Sequence, residues 1–334
     1  MVKSVAPYQL LKSWSTDTGW RDSVDSVTVV VCAYTEARWA TLRRSIDSVL
    51  KQMSFGDELL VVIDHNDTLL ALCREGIAGC VIIPNRYSRG LSGARNTAVQ
   101  QARCEIVAFL DDDAIPVDGW LDALRAPYAD SRVHGVGGLA NPHWSGGKPR
   151  WFPDEFLWVV GCSYLGLPFS IQPVRNPVGA NMSFRRVAFD SAGMFSETIG
   201  RVGDVPLSCE ETEFSIRMNR ANPGAIILYN PSARVEHHVL EQRRSFRYFV
   251  RRCWAEGMSK AEVARRVGAS AALGDERRYT LQVLPRGIWQ GLRDARAGDL
   301  WGVARASTIL LGVIITAGGY CIGRWRKSPQ LISD

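Results

Sequence analysis

The chain reads as an α/β protein whose mostly parallel sheet is covered by helices. Apolar strand-like runs recur between helix-like stretches, and each run ends in a short polar loop. Strands that alternate with helices imply a sheet covered on both faces. The first run, Val27–Ala33, is continuous and β-rich, and after Tyr34-Thr35-Glu36 a helix-like stretch from Trp39 to Leu50 places its apolar residues near helical spacing. Glu58–Ile63 is a second buried strand that ends in Asp64-His65-Asn66-Asp67, with a helix-like segment behind it. Val81–Ile83 is a third, and Gly90-Leu91-Ser92-Gly93-Ala94-Arg95-Asn96 opens a helix that runs to about Arg103.

The fourth run, Val107-Ala108-Phe109-Leu110, delivers Asp111-Asp112-Asp113 at its C-terminal end. In open α/β sheets ligands bind outside the carboxyl ends of strands. Hard divalent cations take a carboxylate or two together with substrate phosphate oxygens. Asp111 and Asp113 therefore read as ligands for a metal and a nucleotide phosphate, and a solvated acidic turn before Pro116 is the plainer alternative. Asp64, at another strand end, can accept a hydrogen bond from a uracil or thymine imide, or it can cap the next helix. Gly90 and Gly93 let backbone approach a ligand closely, the N–H groups of a helix start favour phosphate, and Arg89 would add a charged contact.

Taken in order along the chain, these segments resemble the inverting nucleotide-sugar glycosyltransferases of family two, which have the GT-A fold. The likeness covers about Val27 to Val239 and rests on Ala33-Tyr34-Thr35-Glu36, Val62–Asp67, Asn85 with Arg89–Asn96, Phe109–Asp113, Gly179–Arg186 and Cys209–Arg217. It implies nucleotide contacts from Ala33, Tyr34, Thr35, Glu36, Asp64, Asn85, Arg89, Gly90, Asn96, Asp111 and Asp112. It also implies donor and acceptor contacts from Asn181 and Met182, and a Mg²⁺ or Mn²⁺ ion on Asp111 and Asp113, with His237 completing its shell. Glu211 takes the place of the family's catalytic base and Glu210 that of its neighbour, although the family usually carries Glu-Asp there and this chain carries Glu-Glu. Acids at a helix start are also favoured by the macrodipole alone, and His237-His238 would serve equally as a surface pair. Gln242-Arg243-Arg244-Ser245-Phe246 is similar to the Gln-x-x-Arg-Trp motif of processive synthases but departs at both final positions, which argues against a polymerase.

Composition sets the remaining bounds. With 46% hydrophobic and 22% charged residues the chain is a folded protein. Its net charge of +6 is uneven, because Arg243, Arg244, Arg247, Arg251, Arg252, Lys260, Arg265, Arg266, Arg277 and Arg278 cluster after Gln242, with Arg324, Arg326 and Lys327 beyond. Such a cluster suits anionic lipid headgroups or phosphate, or else a solvated helical face. No nucleic-acid motif accompanies it. Eight Cys without CxxC spacing read as reduced core residues of a cytosolic chain, and residues 1–26, an N-terminal extension, show no signal-peptide pattern.

The segment from Asn141 to Pro177, with Trp144, Trp151 and Trp158, reads as a loop-rich insertion over the acceptor side, its tryptophans serving packing more often than binding. Residues 27–240 form the expected catalytic domain and 241–334 a helical region with a membrane-associating segment near 284–323. Ser307–Gly323 is uncharged and at the short end of the ~17–25 residues a spanning helix needs. Leu284–Val303 interleaves Ile288, Trp289, Leu292, Leu300 and Trp301 with charges, as an interfacial helix does. A monotopic or hairpin insertion at the cytoplasmic face of the cell membrane is expected, with a single span and a buried core helix as alternatives. The expected partners are a UDP- or dTDP-linked sugar, a lipid-linked or envelope glycan acceptor and the membrane surface. A nucleotidyltransferase on a similar scaffold, or a catalytically silent sugar-nucleotide-binding membrane scaffold, are the competing readings.

Overall fold

The computed structural model describes residues 26–200 and 208–325. The expected N-terminal extension and the basic pair Arg326-Lys327 lie outside them. Strands β1 (Val27–Ala33), β2 (Glu58–Ile63), β3 (Val81–Pro84), β4 (Ile106–Asp111), β5 (Ala114–Pro116), β6 (Val133–Trp144), β7 (Gln172–Pro173), β8 (Asn181–Arg185) and β9 (Ile226–Val239) join in one sheet. Its order is β3-β2-β1-β4-β8-β6-β9-β5, with β7 paired to β9. The β3-β2-β1-β4 half is wholly parallel, and β6 and β9 also run parallel. β8, β5 and β7 enter antiparallel.

The parallel strands read as unbroken Val, Ile and Leu because both of their faces are covered. Val29 and Val31 face a core built with Leu42, Ile46 and Val49, which recur at helical spacing on α1 (Trp39–Leu50). Val30 faces the other side, where Ala94 and Ala98 of α3 (Leu91–Gln101) meet Phe109, Phe184 and Phe214. Between these helices lies α2 (Asp67–Gly76), capped by the Asn66 side chain, which accepts from Leu69 N at 2.9 Å. The cap is thus Asn66 and not Asp64. Further along come α4 (Trp120–Arg125), α5 (Arg186–Ala192) and α6 (Glu210–Ala221), the last carrying the acidic pair.

The C-terminal region comprises α7 (Phe246–Val267), the short α8 (Ala269–Ala272) and α9 (Gly274–Arg278), then α10 (Leu284–Arg296) and α11 (Trp301–Trp325). α11 lies so close along α7 that a Cβ on Gly319 would meet the Trp254 carbonyl oxygen at 2.4 Å and one on Gly323 the Ala261 Cβ at 2.7 Å. The insertion seen in the sequence fills the space between this bundle and the sheet. Phe152 and Phe156 are buried with Phe249, Cys253, Leu284 and Ile309, and Trp144, Trp151 and Trp158 pack on the same cluster.

Two expectations change here. The apolar stretch expected over 307–323 is part of a longer helix, 301–325, long and apolar enough to cross a membrane yet one-third buried against the protein. The basic residues after Gln242 are not one solvated or lipid-facing cluster: Arg243 is buried, and Arg252 and Lys260 are largely enclosed and ion-paired with acids of their own region. Burial of a charge demands a partner: Arg252 and Lys260 find theirs one turn away at Glu256, whereas Arg243 finds Asp113 far off in sequence.

Candidate active site

The site forms where β4 ends. Register places Asp111 beside Cys32 of β1, and the antiparallel β5–β9 pair sets Ala114 opposite His237. Residues more than a hundred positions apart thereby meet. His237 Nε2 lies 3.1 Å from Asp113 Oδ1 and 4.0 Å from Asp111 Oδ2. Cations surround the acids: Arg38 reaches Asp112 at 2.5 Å and Asp113 at 3.2 Å, and Arg243 reaches Asp113 at 3.3 Å. Burial alone would raise the Asp113 pKa, but His237, Arg243 and Arg38 hold it well below the usual carboxylate range. Burial likewise works against a charged His237, and Asp113 overrides it, raising its pKa well above the ordinary value. Asp112 differs: burial lifts it to about 6 despite Arg38.

One ligand atom each from Asp111, Asp113 and His237 lie within 4.8 Å of one another. Among the described residues, neither carboxylate oxygen of Asp113 nor the buried His237 Nδ1 has a hydrogen bond of good geometry. Two carboxylates and an imidazole suit a hard or borderline divalent ion, so the residues present fit the expected metal.

A second acidic centre stands at the start of α6. Arg95, 2% exposed, donates to Glu210 Oε1 at 2.8 Å and to the Gly179 carbonyl at 2.9 Å, and approaches Asp111 Oδ1 at 3.5 Å. Glu211 accepts from Thr212 Oγ1 at 3.1 Å. Burial and the neighbouring Glu210 charge push its carboxyl up to about 8. Both centres open into one cavity of about 1420 Å³, whose lining runs from Asp111, His237 and Glu211 to Val313, Thr316 and Tyr320 of α11. The C-terminal helices are therefore walls of the site.

The other predicted residues fall into two groups. Asp64, Asn85, Arg89 and Gly90 meet at the ends of β2 and β3. Asp64 accepts from Asn85 Nδ2 at 2.7 Å and from Gly90 N at 2.9 Å, and Arg89 donates to the His65 carbonyl at 3.0 Å. Gly90 has φ 133°, which side-chain-bearing residues rarely adopt. Nearby, Thr35 caps a short 3₁₀ turn that begins at the exposed Glu36, and Tyr34 lies under Arg38.

The second group serves the fold. Ala33 is buried and gives its carbonyl to Asp64 N. Asn96 exchanges two 2.9 Å hydrogen bonds with the Phe195 backbone. Asn181 spends its amide on Trp120 Nε1, Leu139 O and Ala233 O. Met182 is fully buried among the phenylalanines of the core. The side chains of Asn96, Asn181 and Met182 are thus engaged by backbone partners or the core. Arg38, Arg95 and Arg243 were missed as site residues. Arg95 had a signal, since it is the one charged residue of the helix start Gly90–Asn96.

Comparison with known proteins agrees with this geometry. Residues 28–193 match the family described as glycosyl transferase family 2. A glucosyl-dolichyl phosphate glucuronosyltransferase of Haloferax volcanii is 34% identical over 238 residues, 70% of this chain and 76% of that protein. The succinoglycan biosynthesis protein ExoM of Rhizobium meliloti is 24% identical over 246 residues, 70% and 73% of the two chains. The chain belongs to glycosyl transferase family 2 and is a glycosyltransferase of GT-A fold. Among solved structures, the mannosyltransferase PcManGT of Pyrobaculum calidifontis, in complex with GDP-Man and Mn²⁺, superposes with a TM-score of 0.54 at 17% identity, covering 88% of each chain. GalNAc-T7 with UDP, GalNAc and Mn²⁺ gives 0.52 at 19% identity over 70% of this chain, which spans about half (48%) of that one.

Proposed function

We propose that this enzyme transfers a sugar, with inversion, from a nucleoside-diphospho-sugar to the hydroxyl of a lipid-linked glycan at a membrane surface. The observation that carries the reading is the Glu211 carboxyl, raised to about 8 in the same cavity as Asp111, Asp113 and His237. A base works best when its pKa lies near the working pH. Ionised Glu211 takes the acceptor proton as the acceptor oxygen bonds to the anomeric carbon and the bond from that carbon to the diphosphate breaks. Arg95 neutralises Glu210 and keeps it from competing for the proton. Asp111, Asp113 and His237 would hold Mg²⁺ or Mn²⁺, which supplies positive charge to the departing diphosphate. Asp64, near Asn85 and Gly90, retains lone pairs for the imide of a uracil or thymine base, which favours a UDP- or dTDP-sugar.

The membrane reading is supported by the outer faces of α10 and α11, where Trp289, Leu310, Ile314 and Trp325 are exposed, and by the lipid-linked substrate in the name of the Haloferax relative. An interfacial α10 beside a membrane-inserted α11 would bring the cavity mouth to the lipid surface. A cytoplasmic-facing orientation completes this reading.

The test is transfer by purified full-length protein, with UDP-linked sugars, glucuronic acid first, and a glucosyl polyprenyl phosphate as acceptor. Wild type is expected to form an inverted product. Glu211→Gln should keep UDP affinity and lose ~10²–10⁴-fold in kcat. Full activity in that variant would remove Glu211 from the role of base.

A further inference from the structure

Helix α6 starts in an unusual way. Cys209, its first flanking residue, sits at φ 77°, ψ 15°, and its side chain caps nothing. A non-glycine residue is strained in the left-handed region and persists only where its surroundings over-determine it. What holds it belongs to α7. Ser208 Oγ donates to Glu256 Oε2 at 2.8 Å, Cys209 Sγ to Glu256 Oε1 at 3.4 Å, and Ser208 N to Ser259 Oγ at 3.2 Å.

Glu256 is itself fixed from both sides. Arg252 lies 3.1 Å away one turn before it and Lys260 3.5 Å away one turn after. Lys260 also reaches Glu276 at 2.5 Å, and Glu276 takes two hydrogen bonds from Arg175. The chain of contacts runs from the insertion through α9 and α7 to the entry of the helix that carries Glu210 and Glu211. All of these groups except Ser259 also line the cavity.

The geometry points to Glu256 as a positioning residue for the base: it clamps the left-handed Ser208-Cys209 entry and so sets where the Glu211 carboxyl stands. This rests on the reading of Glu211 as base. Glu256 remains ionised, because Lys260 and Arg252 overcome burial and hold it at about 2. The charged groups facing Glu211 are Glu210 on its own helix, Arg95 from α3 and Glu256 from α7, and the two acids both raise its pKa. The same α7 packs on α11, so the helices expected at the membrane also fix the catalytic helix.

Glu256→Gln removes the charge at nearly constant shape. Two readouts on full-length protein in detergent micelles decide the matter. Infrared difference titration, with Glu211→Gln subtracted to assign the Glu211 carboxyl, should show the Glu211 pKa falling by about one unit in Glu256→Gln, the scale of one charge acting across several ångströms of protein. Transfer from UDP-glucuronic acid to glucosyl polyprenyl phosphate should lose about tenfold or more in kcat with the donor KM unchanged, as a displaced catalytic group does. If Glu256→Gln does not fold, Glu256→Asp, which keeps the charge but withdraws it by a methylene, should shift both readouts in the same direction by less. An unmoved titration, or an unchanged kcat, overturns the clamp. Full activity in Glu211→Gln overturns the base assignment instead, so the two failures are distinct.

Discussion

The two acidic centres of the cavity are built on opposite electrostatic plans. At the end of β4, three aspartates face Arg38, Arg243, His237 and, more distantly, Arg95. At the start of α6, two glutamates share Arg95, and Glu256 adds a third negative charge nearby. The first centre is balanced, and Asp113 stays ionised in a buried position. At the second, burial first and then the Glu210 charge act on Glu211, which holds its proton to about 8. Carboxylates that bind a cation must stay charged, whereas one that shuttles a proton must give it up near neutral pH. Cations in direct contact hold Asp113 ionised, whereas burial and a like charge act on Glu211.

The contrast breaks most severely at Asp113. Asp113→Ala leaves Arg38, Arg243 and His237 without their shared anion, and unfolding in denaturant should show a loss of ~3–5 kcal/mol, as for other buried pairs that lose one partner. Asp111→Ala acts differently because Asp111 is partly exposed and Arg95 retains Glu210. It should keep the fold but abolish the Mn²⁺ dependence of UDP binding in calorimetry. Unchanged metal dependence there would dissolve the metal half of the comparison.

At the other centre, kcat/KM should rise with pH and level off above about 8, because Glu211 acts only when ionised. Glu210→Gln removes the nearest like charge, and the limb should move down by about one to two units. A limb that stays in place would remove the Glu210 charge from the tuning of the base.

Smaller effects divide the two faces of the C-terminal helices. Gly319→Val forces a side chain against the Trp254 carbonyl. It should cost about 1–3 kcal/mol in thermal unfolding. Trp289→Glu, on an exposed face, should leave the unfolding temperature unchanged while weakening sedimentation with anionic lipid vesicles. Equal vesicle binding in that variant would leave α10 without a membrane role.

The sequence by itself determined β1 to β4, because a parallel strand covered on both faces must be continuously apolar and so is visible locally. It also marked Asp111 and Asp113, since strand ends are where an α/β sheet exposes chemistry, and the family resemblance added Glu211 and His237. Tertiary structure alone decided which of their neighbours count. Asn96, Asn181 and Met182 stand inside recognisable segments, yet their side chains turn to backbone partners or the core. Arg243 looked like part of a basic surface and instead answers the buried Asp113 of β4, well over a hundred residues away in sequence. The pattern along a chain reports which face of an element is apolar; it does not report the partner of a buried charge, because long-range packing brings that partner near.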